Sequence, residues 1–78
     1  MRLDLRLNSK EIQSDIAKFL KRNLGVGYCD DCIRHTLQFS RSQASEQLMS
    51  KTAVVAGLLR QSDDCSVCRV HRTITRAL

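Results

Sequence analysis

Two copies of Cys-x-x-Cys constrain this chain more than any other feature. "YCDDCIRH" supplies Cys29 and Cys32, and "DCSVCRVH" supplies Cys65 and Cys68; each motif carries a histidine three residues beyond its second cysteine, His35 and His71. These are all the cysteines of a 78-residue chain. A fold of this size has one small core and a surplus stability of about 3–5 kcal/mol, so a covalent or metal staple weighs heavily in it. The aromatic residues are only Phe19, Tyr28 and Phe39. A core of Leu, Ile, Val and Ala lacks the large buried area that aromatic rings bring, which strengthens the case for a staple.

What the cysteines hold depends on the compartment. The start of the chain, "MRLDLRLN", has no apolar run followed by a small-residue cleavage site, so it does not read as a secretory signal. The longest apolar run, "AVVAGLL", is far too short to span a bilayer. These features predict a soluble cytoplasmic protein with no membrane partner. In a reducing cytoplasm, matched Cys-x-x-Cys pairs point to metal or thiol redox chemistry rather than to structural disulfides. Zinc takes four ligands in a tetrahedron, and two Cys-x-x-Cys pairs complete that set, so Cys29, Cys32, Cys65 and Cys68 are the expected ligands of one Zn2+. Iron also accepts four thiolates. A dithiol redox protein is the remaining reading, but its usual βαβ setting does not fit this chain. Four thiolates saturate one zinc, so His35 and His71 read as surface or supporting groups. The haem-attachment spacing Cys-x-x-Cys-His is absent from both motifs.

"RLDLRLN" alternates, with Leu3, Leu5 and Leu7 on one side and Arg2, Asp4 and Arg6 on the other, the period of a half-buried strand that needs a partner. "NSKEIQSDIAKFLKRNLG" reads as an amphipathic helix. Asn8 and Glu11 have capping-box spacing, and Ile12, Ile16, Phe19 and Leu20 form one stripe. Lys18, Lys21 and Arg22 suit the end of the helix, and Gly25 and Gly27 stop it. "YCDDCIRHTLQF" is a short helix with Cys29, Cys32, Ile33 and Leu37 on one face. "SRSQASEQLMSKTAVVAG" is a longer one, capped by Ser40 or Ser42 and ended by Gly57, with Ala44, Leu48 and Val55 inward and Met49 and Thr52 at the margins. A polar face of Arg41, Gln43, Ser45, Glu46, Gln47 and Ser50 points outward. After the turn cluster "QSDD", a hairpin is expected: a strand near Leu58–Arg60, a turn with Cys65 and Cys68, and a strand from about Val70 to Arg76, with Val70, Ile74 and Leu78 on one face.

The expected fold is therefore α+β and mostly helical. It is a single zinc-stapled domain over residues 1–78, a three-helix, winged helix-turn-helix-like arrangement with a C-terminal β-hairpin and an N-terminal strand. In such folds the third helix enters the major groove and the hairpin touches the backbone. That makes Arg41, Ser42, Gln43 and Gln47 candidates for base or phosphate contact, and Arg69, Arg72 and Arg76 candidates for phosphate contact along the hairpin. The formal charge of +5 favours an anionic partner such as double-stranded DNA. Glu46, Asp30, Asp31, Asp63 and Asp64 oppose it. A protein-interaction adaptor on the same scaffold stays open, presenting the Leu3/Leu5/Leu7 edge or the polar helix to a protein partner, or pairing with a second copy of the chain through the N-terminal strand.

"YCDDCIRHTL" and "GLLRQSDDCSVCRVHRTIT", with a helix between them, resemble a group of small, largely uncharacterised bacterial proteins with a winged-helix-like core and a Cys-x-x-Cys…Cys-x-x-Cys zinc site. The resemblance spans roughly residues 10–76 and implies metal-ligand roles for Cys29, Cys32, Cys65 and Cys68, and no activity. Zinc-ribbon knuckles often carry glycine after the second cysteine; here Arg69 follows Cys68, which speaks against a standard ribbon turn. Nothing points to an enzyme. No Ser-His-Asp-like arrangement, phosphate-cradling glycine loop or His-x-Glu beside the cysteines is present, and a zinc with four thiolates has no open position.

Overall fold

A computed structural model of the chain describes residues 8–78. The alternating segment of Leu3, Leu5 and Leu7 lies outside them. The first helix, α1 (Ser9–Arg22), begins where its capping box closes: Asn8 Oδ1 accepts the Glu11 N–H at 2.9 Å and Glu11 Oε1 accepts the Asn8 N–H at 3.1 Å. Its buried stripe is Ile12, Ile16 and Leu20. Phe19 sits half-buried beside it, its ring tilted 45° against Tyr28 with centroids 4.8 Å apart.

After Asn23 the chain crosses to the sheet. Gly25 adopts φ +78° and gives its N–H to the Ala77 carbonyl at 2.7 Å. Gly27 lies so close to Ile74 that a Cβ would come within 2.7 Å of Ile74 Cδ1. That approach lets the short strand β1 (Tyr28–Cys29) pair antiparallel with a later strand, and β1 runs directly into α2 (Asp30–Leu37). After Gln38, at φ +61°, a turn leads to α3 (Glu46–Ala56), which ends on Gly57 at φ +70°. A hairpin follows, β2 (Leu59–Asp64) and β3 (His71–Arg76), and the sheet order is β1-β3-β2. None of the helices among the described residues is long and apolar enough to cross a membrane.

Two cores result. The larger joins the three helices through Ile12, Ile16, Leu20, Ile33, Ala44 and Met49, with Ala77 from the end of the chain. The smaller consists of Cys29, Cys65 and Ile74, with Cys32 packed against them.

Three expectations for the second half of the chain need correction. The third helix starts at Glu46 and is capped by Ser45, whose Oγ accepts the Leu48 N–H at 3.2 Å, not by Ser40 or Ser42. Ser40 is already engaged: its Oγ accepts the Gln43 N–H at 3.1 Å while Gln43 Oε1 accepts the Ser40 N–H at 2.9 Å, closing a separate turn that carries Arg41, Ser42 and Gln43 ahead of the helix. Ala44 is buried but lies outside the helix and so does not set its phase. The inward residues of α3 are Met49, Thr52 and Ala53, while Val55 is exposed. Thr52 is tolerated inside because its hydroxyl donates to the Leu48 carbonyl at 2.7 Å. In the hairpin, β2 continues past Arg60 to Asp64. Of the stripe Val70, Ile74 and Leu78 only Ile74 is buried, because Val70 precedes the strand and Leu78 follows it.

The cap assignment is open to test by urea denaturation of the metal-loaded protein. Ser45→Ala is expected to cost about 1 kcal/mol, whereas Ser42→Ala, at an exposed position off the helix, is expected to stay within about 0.5 kcal/mol of the parent.

Candidate metal centre

Three pieces of backbone deliver the four cysteines. Cys29 ends β1 and is at once the N-cap of α2; Cys32 lies in the first turn of that helix; Cys65 and Cys68 sit in the loop joining β2 to β3. Their four Sγ atoms all lie within 4.8 Å of one another. Cys29 Sγ is 3.8 Å from Cys68 Sγ, and Cys65 Sγ is 3.6 Å from Cys32 Sγ. These separations are far from the ~2.05 Å of a disulfide. They match the edge of a tetrahedron whose centre is ~2.3 Å from each sulfur, which is about 3.8 Å. The quartet is already spaced for a metal ion.

The electrostatics argue the same way. Burial, opposed in part by hydrogen bonds, pushes the Cys29 thiol up; burial, then the neighbouring sulfurs of Cys29, Cys65 and Cys68, pushes the Cys32 thiol up strongly. Cys65 is the exception. Burial would raise it too, but the backbone N–H groups of Cys68, Cys29 and Val67 outweigh that and bring it down to about 6. The Cys29 and Val67 N–H groups reach Cys65 Sγ at 3.3 and 3.4 Å. Cys65 is thus the sulfur most readily held as a thiolate, while burial favours the protonated forms of Cys29 and Cys32, whose protons a cation would displace.

The second motif forms a tight knuckle. The Arg69 N–H donates to the Cys65 carbonyl and the Cys65 N–H to the Val70 carbonyl, both at 3.0 Å; the Ser66 N–H donates to the Gly27 carbonyl at 2.9 Å. The position after Cys68 takes the left-handed conformation that glycine favours, and Arg69 occupies it at φ +64°. The glycine-type turn therefore forms without glycine, at a backbone cost of about 1–2 kcal/mol. Neither histidine joins the quartet. His35 is exposed on α2, and His71 Nδ1 lies 3.0 Å from Asp64 Oδ1 at the surface.

The residues between the first two cysteines anchor the centre to the rest of the fold. Asp30 pairs with Arg60 of β2 at 2.9 Å, and Arg60 Nη1 also donates to Thr75 Oγ1 at 2.8 Å. Asp31 receives Arg34 at 2.6 Å and Arg72 at 3.0 Å, and Arg34 Nη1 reaches on to the Ala44 carbonyl at 2.6 Å. The hydrogen bond from Arg34, above all, holds the Asp31 carboxyl below its usual range. Arg72 is held in its charged form first by the Cys29 sulfur and then by Asp31. The i,i+3 spacing of Asp31 and Arg34 is a legible local signal. The long-range partners Arg60 and Arg72 have none.

The structure distributes the candidate nucleic-acid residues unevenly. Arg41 and Arg72 both turn toward Asp31, at 4.0 and 3.0 Å. Ser42 is exposed on the turn, the Gln43 side-chain oxygen accepts the Ser40 N–H, and Gln47 is exposed on the first turn of α3. Arg69 is exposed at the knuckle. Arg76 lies at the opposite end of β3, about 13 Å along the strand from Arg72, half-buried, and its Nε has no partner among the described residues. The chain matches no protein-family model, no curated protein and no solved structure.

The strained knuckle supplies a measurable consequence. Arg69→Gly removes the left-handed penalty while adding back roughly 0.5–1 kcal/mol of unfolded-state freedom. Chemical denaturation of the metal-loaded variant is expected to show a net gain of about 0.5–1 kcal/mol; a loss would mean that the Arg69 side chain contributes more than its backbone costs.

Proposed function

We propose that this protein is a structural zinc module that binds nucleic acid and performs no catalysis. The observation that carries the zinc assignment is the quartet of Sγ atoms within 4.8 Å of one another. Zinc is the usual occupant of a closed four-thiolate site, and such a site keeps no position for water or substrate. The quartet also argues against a dithiol redox protein, since the two Cys-x-x-Cys pairs form one cluster rather than a single reactive dithiol. Four unbridged thiols suit a reducing cytoplasm.

Two observations support nucleic acid as the partner. The order α1-β1-α2-α3-β2-β3, with β1 beside β3, is consistent with a winged helix-turn-helix arrangement, in which the metal ties the loop of the wing to the second helix. The net charge is +5, and Arg41 and Arg69 are exposed on the two loops that flank the start of α3 and the tip of the hairpin. The outward face of α3 carries only one basic residue, Lys51, beside Glu46, Gln47 and Ser50. Backbone contact from the loops therefore outweighs base reading by the helix in this proposal.

A second reading, a protein-interaction adaptor, draws on a different observation. Val54 and Val55 are 83% and 74% exposed on α3, and Val55 borders an apolar groove against Ala17 of α1.

Metal analysis of purified protein is expected to give one zinc per chain. Cys65→Ser should lose that zinc and, by amide exchange, lose protection across β2 and β3 before α1, because the smaller core has little else to hold it. Zinc-free protein with a fully protected hairpin would refute the centre. For the partner, affinity for mixed-sequence duplex DNA should fall with salt, with a log–log slope of about −0.9 for each phosphate contacted. No duplex binding at low salt would leave the adaptor reading in its place.

A further inference from the structure

We infer that Arg34, Arg41 and Arg72 form a seat for one backbone phosphodiester, in the cleft between α2, the turn before α3, and β3. The inference rests on the nucleic-acid reading and assigns it a contact. The cleft has a volume of about 280 Å3, and its walls include these three arginines together with Thr73. Three guanidinium groups from three elements converge on a single carboxylate, Asp31.

Hydrogen-bond capacity makes the case. Each guanidinium carries five N–H donors. Arg34 uses Nη1 on the Ala44 carbonyl and Nη2 on Asp31; Arg72 uses Nη2 on Asp31. Among the described residues Arg41 makes no hydrogen bond, and its closest acid, Asp31, is 4.0 Å away with the arginine side chain 83% exposed. Donors outnumber the acceptors facing them. A planar carboxylate engages one arginine fork well, whereas a tetrahedral phosphate offers oxygens in several directions at once. The place where Asp31 sits marks where the three cations direct their field.

The opposing charges limit the affinity without cancelling the site. Asp30 also lines the cleft, but Arg60 neutralises it. Asp31 and Glu46 remain against three arginines, and the four-thiolate zinc beside Arg72 adds negative charge of its own, so the seat rests on the spare N–H donors of the guanidinium groups and not on a net positive charge. The thiolate centre draws on Arg72, whose charged state the Cys29 sulfur favours. Arg34 and Arg41 therefore supply most of the attraction, and Glu46 is the main competing anion. A free phosphate binds such a site weakly; a polyanion gains from its neighbouring phosphates as well.

Arg41 is the clean probe, because its side chain is exposed and the zinc centre does not lean on it, whereas Arg72 lies against both the sulfurs and Asp31. The experiment titrates zinc-loaded protein with inorganic phosphate and, separately, with a mixed-sequence duplex. The arginine Nε–H signals and the Thr73 amide are followed by NMR, and duplex affinity is measured across salt. Both titrants should move the Arg41, Arg72 and Thr73 signals. Arg41→Ala should weaken duplex binding about threefold to tenfold and lower the salt slope by about one. Glu46→Gln should tighten binding by about threefold, a gain that misfolding cannot mimic. Duplex binding that leaves those signals still and ignores Arg41→Ala overturns the seat while the nucleic-acid reading stands. Inorganic phosphate at the cleft with no duplex binding overturns the nucleic-acid occupant and the parent reading together.

Discussion

The sheet end of this fold depends on the meeting of four sulfur atoms. The helical core can be built from Ile12, Ile16, Leu20, Ile33 and Met49, with burial of apolar area as the driving force. The smaller core has no such resource. Its fully buried members are Cys29, Cys65 and Ile74, two thiols and one isoleucine. Three side chains of that size do not offset the entropy of ordering a hairpin and its loop. A cation shared by the quartet would change this, because a site that forms only on folding turns metal affinity into folding free energy. The sheet is also completed at this point, since β1 contributes only Tyr28 and Cys29 to it.

The charges around the centre extend its reach. Asp30 and Asp31 occupy the positions between the first two ligands, and each holds an arginine from another element. Arg60 brings in β2, Arg72 brings in β3, and Arg34 passes the connection to Ala44 ahead of α3. The Asp30–Arg60 pair is shielded from water on both sides and keeps more of its strength than a pair on an open surface does, whereas the Arg72–Asp31 pair is exposed and weaker. The Gly27 contact with Ile74 and the bond from Ser66 to the Gly27 carbonyl close the same region from the side of α1.

Much of this was written in local spacing, and the remainder was not. The capping box and stripe of α1 can be read directly, because every interaction that sets them lies within one or two helical turns. The quartet can be read because Cys-x-x-Cys fixes the distance inside each pair, and a shared metal requires the pairs to meet. The start of α3 misled for an instructive reason. "SRSQ" has the spacing of a capping box, and Ser40 and Gln43 do exchange hydrogen bonds, but they close a turn rather than a helix. Three serines compete for one role, and Ser45 takes it by accepting the Leu48 N–H, while Ser40 is spent on Gln43. Arg60 and Arg72 could not be paired with Asp30 and Asp31 beforehand, since no local pattern joins residues so far apart in the chain. Nor does any pattern foretell that Arg69 accepts a left-handed backbone; the knuckle imposes it from outside.

The passage from strand to helix at Cys29 and Asp30 has a consequence for how this chain can change. No connecting residue separates β1 from α2. One residue inserted there would turn the helix by about 100° relative to the strand, carrying Cys32 away from its partners and Asp30 and Asp31 away from their arginines. A deletion would do the same in the opposite sense. The turn between α2 and α3 carries no cysteine, and although Ala44 in it is buried and its carbonyl takes Arg34, the exposed positions Arg41 and Ser42 leave it more room to change length. Length variation in proteins built on this plan should therefore gather in that turn, while the junction at Cys29 keeps an invariant count.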